Sequence, residues 1–164
     1  MYNIDKTDRK ILSFLVQDGK IPYTEIAKKL EVSHGTIHQR VKKLERSGVI
    51  QKTSIVIDYR KLGYKLICYV GIQVSNGQYI DSICIQLKNI PQITVAHITT
   101  GQFNIQCKIR CMDTEHAKNI IQRIHSLKGV MRTESSVSFD EIINSKDQLI
   151  QEVLLKKYDD RVSG

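Results

Sequence analysis

The sequence predicts an α+β protein in two parts: a three-helix N-terminal domain, then a βαββαβ domain. Three observations predict it. Apolar residues recur at helical spacing from Asp5 to Gly48. Beyond Gly48 the period shortens towards that of strands and then alternates strand, helix, strand, strand, helix, strand. At the change lies a basic segment, Ser33 to Gly48, with a start and a stop signal at its two ends.

The first helix begins at Asp5, with Asp8 in the opening turn where the helix dipole favours negative charge. Ile11, Leu12, Leu15 and Val16 form its inner face, and Gly19 ends it. The second runs from about Pro22 to Leu30 with Tyr23, Ile26, Ala27 and Leu30 as its stripe; proline suits a helix entry but not an interior. Glu31, Val32 and Ser33 make a tight connection to the third. There Ser33 is a good N-cap, Gly48 suits the left-handed residue that closes a helix, and Ile37, Val41 and Leu44 form an apolar stripe. The opposite face carries His38, Gln39, Arg40, Lys42, Lys43 and Arg46, all donors able to reach phosphates or base edges. Two helices joined by about three residues, the second basic, make a helix-turn-helix, and small Ala27 lets them approach closely.

Val49-Ile50 and Thr53 to Ile57 have the β-branched density of strands. Residues 58–64 read as a linker, so the expected domains are 1–57, 65–140 and a tail, 141–164. In the second domain Leu66, Cys68, Val70, Ile72 and Val74 alternate as one strand face. A helix follows over about Tyr79 to Lys88, with Ile80, Ile83, Cys84 and Leu87 inward. Ile93 to Thr99 is a strand, Gly101 a sharp turn, and Phe103, Ile105, Cys107, Ile109 and Cys111 face inward on the next strand. Asp113 or Thr114 caps a helix with the stripe Ala117, Ile120, Ile121, Ile124 and Leu127, and Val130 to Phe139 completes a fourth strand. This order is the ferredoxin-like or split βαβ arrangement, with both helices on one face of an antiparallel sheet. On the other face Asn104, Gln106, Lys108 and Arg110 are polar while Ile67 and Tyr69 are apolar, which suggests pairing with a second subunit. Residues 144–157 read as an amphipathic helix (Leu149, Ile150, Val153, Leu154) that packs on the body or across a subunit boundary.

With 25 Lys and Arg against 17 Asp and Glu, the 164 residues carry a formal charge of +8, which favours polyanionic partners, double-stranded DNA among them. Apolar residues make up 41%, enough for a true core, and no apolar run approaches the ~20 residues of a membrane helix. The first residues, Met1 to Lys6, carry no apolar signal segment, so a cytoplasmic protein without a membrane partner is expected. Cys68, Cys84, Cys107 and Cys111 form no CxxC pair, and Cys107 and Cys111 would lie about 13 Å apart on a strand, so buried thiols are expected rather than a disulfide or metal site. His34 and His38 have the i,i+4 spacing of a metal pair, but no nearby carboxylate or cysteine completes it. Neither a metal nor a cofactor is expected.

A winged or extended helix-turn-helix followed by this βαββαβ domain resembles the Lrp/AsnC family of bacterial and archaeal transcription regulators. The resemblance covers about residues 4–140 and rests on Ile4-Asp5-x-x-Asp8-Arg9-x-Ile11-Leu12, Glu25-Ile26-Ala27, Ser33-x-Gly35-Thr36-Ile37-His38-x-Arg40-Val41-x-Lys43, Gly48-Val49-Ile50, Leu62-Gly63-Tyr64 and Thr100-Gly101. Gly35 to His38 and Thr99-Thr100-Gly101 look closest to the asparagine-responsive branch. The resemblance implies a non-enzymatic, sequence-specific regulator that binds promoter DNA as a dimer, often assembled into octamers, and senses an amino acid in its C-terminal domain. It places DNA contacts at Ser33, His34, Thr36, His38, Gln39, Arg40, Lys42, Lys43 and Arg46. It places the effector, asparagine or glutamine slightly preferred, at Thr99, Thr100, Gly101, Gln102, Phe103 and Asn104, with Thr133, Glu134, Ser135 and Ser136 as a second set. Gly101 would let backbone approach a ligand closely, while Gln102 and Asn104 can hydrogen-bond a zwitterion or an amide. Two residues depart from the pattern. Gln102 stands where the asparagine branch commonly has histidine, and His34 where proline is usual. Two alternatives stay open: a related haem-pathway decarboxylase, for which His97 and Arg132 can be nominated, and a DNA-compacting architectural protein.

Overall fold

The structure is a computed structural model that describes residues 3–144 and 147–155. Residues 1–2, 145–146 and 156–164 lie outside it, and with them parts of the tail helix expected over 144–157. The described chain forms two compact units, one of residues up to Val56 joined by those from Ile143 onward, the other of Ile57–Ile142.

The first unit holds α1 (Lys6–Gln17), α2 (Tyr23–Leu30) and α3 (His34–Arg46). Asp5 opens α1 through a reciprocal capping box: its carboxylate accepts from the Asp8 amide at 2.8 Å, and that of Asp8 accepts from the Asp5 amide at 3.2 Å. Proline at 22 precedes α2, which ends on Glu31 at φ 54°, an uncommon left-handed non-glycine residue. Val32 then donates to the Ala27 carbonyl at 3.0 Å, and Ser33 opens α3. Ile11, Ile26, Ala27, Ile37 and Val41 form the core, flanked by Phe14, Leu15, Tyr23, Leu30 and Ile50. Gly48 closes α3 at φ 76°, as its position predicts. The tail contributes a further helix, α6 (Asp147–Leu155), which packs on α1. Leu149, Ile150, Val153 and Leu154 line an apolar cavity of about 560 Å³ together with Leu12, Leu15 and Val16.

The strands expected at Val49-Ile50 and Thr53 to Ile57 do not form: residues 51–58 carry no regular structure. Ile55 and Val56 are exposed, so β-branched density there had no neighbouring strand to satisfy its backbone.

The second unit has β1 (Leu66–Val74), a 3-10 turn at Gly77–Tyr79, α4 (Ile80–Leu87), β2 (Ile93–Ile98), β3 (Ile105–Cys111), α5 (Thr114–His125) and β4 (Val130–Ser138). The sheet is antiparallel in the order β2-β3-β1-β4, the ferredoxin-like arrangement. Cys68, Val70 and Ile72 of β1 and Ile105, Cys107, Ile109 and Cys111 of β3 meet Ile83, Leu87, Ala117, Ile120 and Ile124 of the two helices in one core. Asp113 is the cap of α5, accepting from the His116 amide at 2.8 Å.

Phe103 departs from expectation. It lies in the turn before β3 rather than on the strand, and its ring packs on Gly71, where an added Cβ would sit 2.6 Å from ring carbons. Gly71 pairs with Gln106, so the ring covers the face of the sheet opposite the core. A strand-interior glycine often marks such a close approach. Ile67, expected on an open apolar face, is only 4% exposed within the single chain. Beside it Arg110 stacks over the Tyr59 ring at 5.0 Å, and Glu141 bridges Arg110 and Lys108, so this end of the face is already closed. Tyr69, two residues on, stays 46% exposed.

Candidate functional site

The first site is the outer face of α3. The Ser33 hydroxyl accepts from the Thr36 amide at 3.1 Å and bonds the Thr36 hydroxyl at 2.8 Å, so both hydroxyls help to build the helix start. His34, His38, Gln39, Lys42, Lys43 and Arg46 are exposed while Ile37, Val41 and Leu44 are buried. The rings of His34 and His38 lie 6.4 Å apart, with Tyr23 edge-on to His38 at 6.2 Å. No group of three potential metal ligands exists among the described residues.

Arg40 is placed differently from its neighbours. One of its terminal nitrogens, Nη1, donates to Asp5 Oδ2 at 2.6 Å and to Asp8 Oδ1 at 2.8 Å, and Asp8 is fully buried. The Arg40 hydrogen bond is the chief reason the Asp5 carboxyl lies below its ordinary range, and those two carboxylates raise the guanidinium in turn. A guanidinium expected among the phosphate donors is thus already committed inside the unit. Around it Asn3, Asp5, Thr36, Gln39 and Lys43 line a recess of about 360 Å³.

The second site is on the coreless face of the sheet. Phe103, Tyr69, Gly71, Gln106, Glu134, Ser135 and Ser136 line a recess of about 190 Å³. Gln102 Nε2 reaches Glu134 Oε1 at 3.5 Å, and Arg132 pairs with the same carboxylate at 2.7 Å. The first and second effector sets therefore meet here in part. Gly101 has φ 101°, with nothing within 4 Å of an added Cβ, so backbone conformation rather than crowding selects glycine. Thr99 and Asn104 instead build the turn. Thr99 Oγ1 donates to the Phe103 carbonyl at 2.7 Å, and Asn104 Oδ1 accepts from the Val74 amide at 2.8 Å, where the β1–β4 register shifts. Thr133 pairs with core-facing Ile72, and its hydroxyl lies 3.3 Å from His125 Nδ1, on the helix side of the sheet. Thr100 is exposed at the turn. Sequence reasoning missed Gly71 and Gln106 as lining residues; a glycine inside an alternating strand was the available signal. His97 is exposed on β2 and Arg132 is held by Glu134, so neither nominated catalytic residue is drawn into a shared constellation with the other.

The four cysteines are unpaired. Burial, with Cys84 near one and Cys68 and Asp113 near the other, pushes the Cys107 and Cys111 thiols up to about 11, the inert end of thiol behaviour. No described helix is long and apolar enough to cross a membrane.

Residues 4–51 match the family model described as winged helix-turn-helix DNA-binding, and residues 67–148 match the Lrp/AsnC ligand binding domain. The regulatory protein AsnC of Haemophilus influenzae is 35% identical over 144 residues, which cover 87% of this chain and 96% of that protein. The solved structure of E. coli AsnC superposes with a TM-score of 0.84 at 30% identity, covering 88% of this chain and 97% of that one. A feast or famine regulatory protein from M. tuberculosis, solved in complex with L-methionine, shares the fold with a TM-score of 0.82 at 24% identity, covering 88% and 97% of the two chains.

Proposed function

The chain belongs to the Lrp/AsnC family and is a DNA-binding transcription regulator with an amino-acid-binding domain; from that premise we propose that a free amino acid, bound in the Phe103–Gly71 recess, sets its action at a promoter. The observation that carries this reading is the recess itself. An aromatic ring seated on a glycine makes an apolar floor, and Glu134, Ser136, Gln106 and Gln102 supply polar groups around it. A zwitterion needs both charges met in such a place. Glu134 and the Ser136 hydroxyl suit the ammonium, amides of the Thr100–Gln102 turn suit the carboxylate, and the Gln102 and Gln106 amides suit a side-chain amide, which favours asparagine or glutamine. The methionine complex of the structural neighbour supports the amino-acid class. At about 190 Å³ the recess is below the ~300 Å³ of a complete small-molecule pocket. A second subunit seated over exposed Tyr69 would complete it, in a homodimer that assembles further.

On DNA, α3 would enter a major groove with His34, His38 and Gln39 towards base edges. Lys42, Lys43 and Arg46 would hold phosphates, and Ser33 and Thr36 would lie at the backbone-facing helix start. The protein would act with DNA in the cytoplasm, as a regulator rather than an enzyme.

A thermal-shift series over the twenty amino acids tests the sensor, because a ligand that binds only the folded state raises its unfolding temperature. One or a few should raise it, and calorimetry should show Gln102→Ala weakening that ligand by about 1–3 kcal/mol. If none shifts the midpoint, the sensor reading fails; if Gln102→Ala and the parent bind equally, the site is elsewhere.

A further inference from the structure

Apolar burial holds α3 in the first unit through Ile37, Val41 and Leu44, all 3% exposed or less. Such contacts are non-directional: they fix which face of a helix is down but resist small rotations about its axis weakly. A charge-assisted hydrogen bond is directional. Two such bonds run from Arg40 of α3 to the capped start of α1. Its Nη1 is shared by Asp5 Oδ2 at 2.6 Å and Asp8 Oδ1 at 2.8 Å, the two carboxylates that also cap the first turn of α1 through their remaining oxygens. The Asp8 side chain is 0% exposed, that of Arg40 31% and that of Asp5 52%, so the Asp8 end of the arrangement is withdrawn from water while the Asp5 end faces it. Gln39 precedes Arg40, Lys43 lies one turn on, and both line the recess beside the bonded guanidinium.

We infer that Arg40 is a positioning residue for base readout: bolted to the capped start of α1, it fixes the rotation of α3 and so the aim of Gln39 and its neighbours, rather than holding a phosphate. This rests on the reading of α3 as the DNA-contacting helix. Base-edge contacts need alignment of donor and acceptor pairs, while phosphate contacts by flexible lysines tolerate small rotations. Loosening the bolt should therefore cost discrimination more than overall affinity.

The test uses the full chain and a duplex enriched from a random-sequence library by the parent protein, with a scrambled duplex of equal length as reference. Fluorescence anisotropy is read across a salt series for the parent, Asp5→Asn, Asp8→Asn and Arg40→Gln. Asp5→Asn is the variant expected to fold in any case, since asparagine caps a helix as well as aspartate. The expected result is about a tenfold fall in the selected-to-scrambled ratio for Asp8→Asn and Arg40→Gln, and a smaller fall for Asp5→Asn. The salt slope should stay at the parent's value in all three, and the Asp8→Asn/Arg40→Gln double variant should discriminate no worse than either single one. A phosphate role would show otherwise. Arg40→Gln would lower the salt slope by about one and weaken both duplexes alike, and Asp5→Asn, by releasing the guanidinium, would tighten both. Either result, or a ratio unchanged in Asp5→Asn, overturns the inference. Failure of the parent to enrich any sequence would instead count against α3 as the reading helix.

Discussion

Glu141 shows what one residue can do to a sheet face. It lies just past β4, and each of its oxygens meets a different cation, Lys108 at one and Arg110 at the other, the latter at 2.8 Å. All three side chains are at most 16% exposed. Burial alone would raise the Glu141 carboxyl; the hydrogen bonds from Lys108 and Arg110 outweigh it and hold the group below its ordinary 4.5. A carboxyl depressed on folding contributes stability that is present above its unfolded value and lost as pH falls through its folded one. The parent should therefore lose stability progressively below about pH 4.5 on this account. Glu141→Gln should start about 1–3 kcal/mol lower at pH 7 and show a shallower acid loss. Urea midpoints between pH 7 and pH 3 check both, and parallel curves for the two proteins would refute the pairing. The cations were legible in the alternation of β3, where Lys108 and Arg110 take the polar positions. Their partner was not, because Glu141 is about thirty residues away in a segment with no period to read. The same blindness to distant partners hid the Asp5–Arg40–Asp8 bonds, although all three residues belong to motifs visible in the sequence.

Elements were most legible where one local signal agreed with one face of burial. The stripe of α3 and its two end signals appear in the structure at Ser33, Ile37, Val41, Leu44 and Gly48, and the alternation of β1 at Cys68, Val70 and Ile72. Legibility failed where pairing decides. Thr53 to Ile57 had strand composition but no partner strand, and Phe103 fitted the parity of β3 while the turn carried it to the opposite face. At the effector turn, sequence found the right loop but could not tell ligand-facing groups from those the turn spends on itself, such as Asn104 on the Val74 amide. For α3 as a whole, exposed Lys42 and Lys43 set the electrostatic term. Replacing both with Ala should weaken binding to every sequence and reduce the dependence of log affinity on log salt by about two. An unchanged slope in a salt titration by anisotropy would remove them from the phosphate contacts.

At the scale of the molecule, the helical unit is discontinuous: its chain leaves after Val56 and returns at Ile143 to add α6 beside α1. The sheet unit is thus spliced into it through two covalent crossings. Ending the chain after Ile143 should lower the unfolding midpoint of the helical unit, by exposing Leu12, Leu15 and Val16, and leave that of the sheet unit in place. Calorimetry of the two forms resolves this, and equal profiles would show α6 to be dispensable. The splice has a consequence in polymer terms. Ile67 is paired with Ser138, and Arg60 meets Asp140 at 3.3 Å, so the folded sheet unit holds its own two ends together. An unfolded loop spanning Ile57 to Ile142 would cost α6 on the order of 4 kcal/mol of closure entropy before it could reach α1. Folding of the sheet unit meets that cost in advance. Unfolding of the sheet unit alone would hand that cost back to α6 and lower its effective concentration at its seat, although no helix of the other unit had been touched.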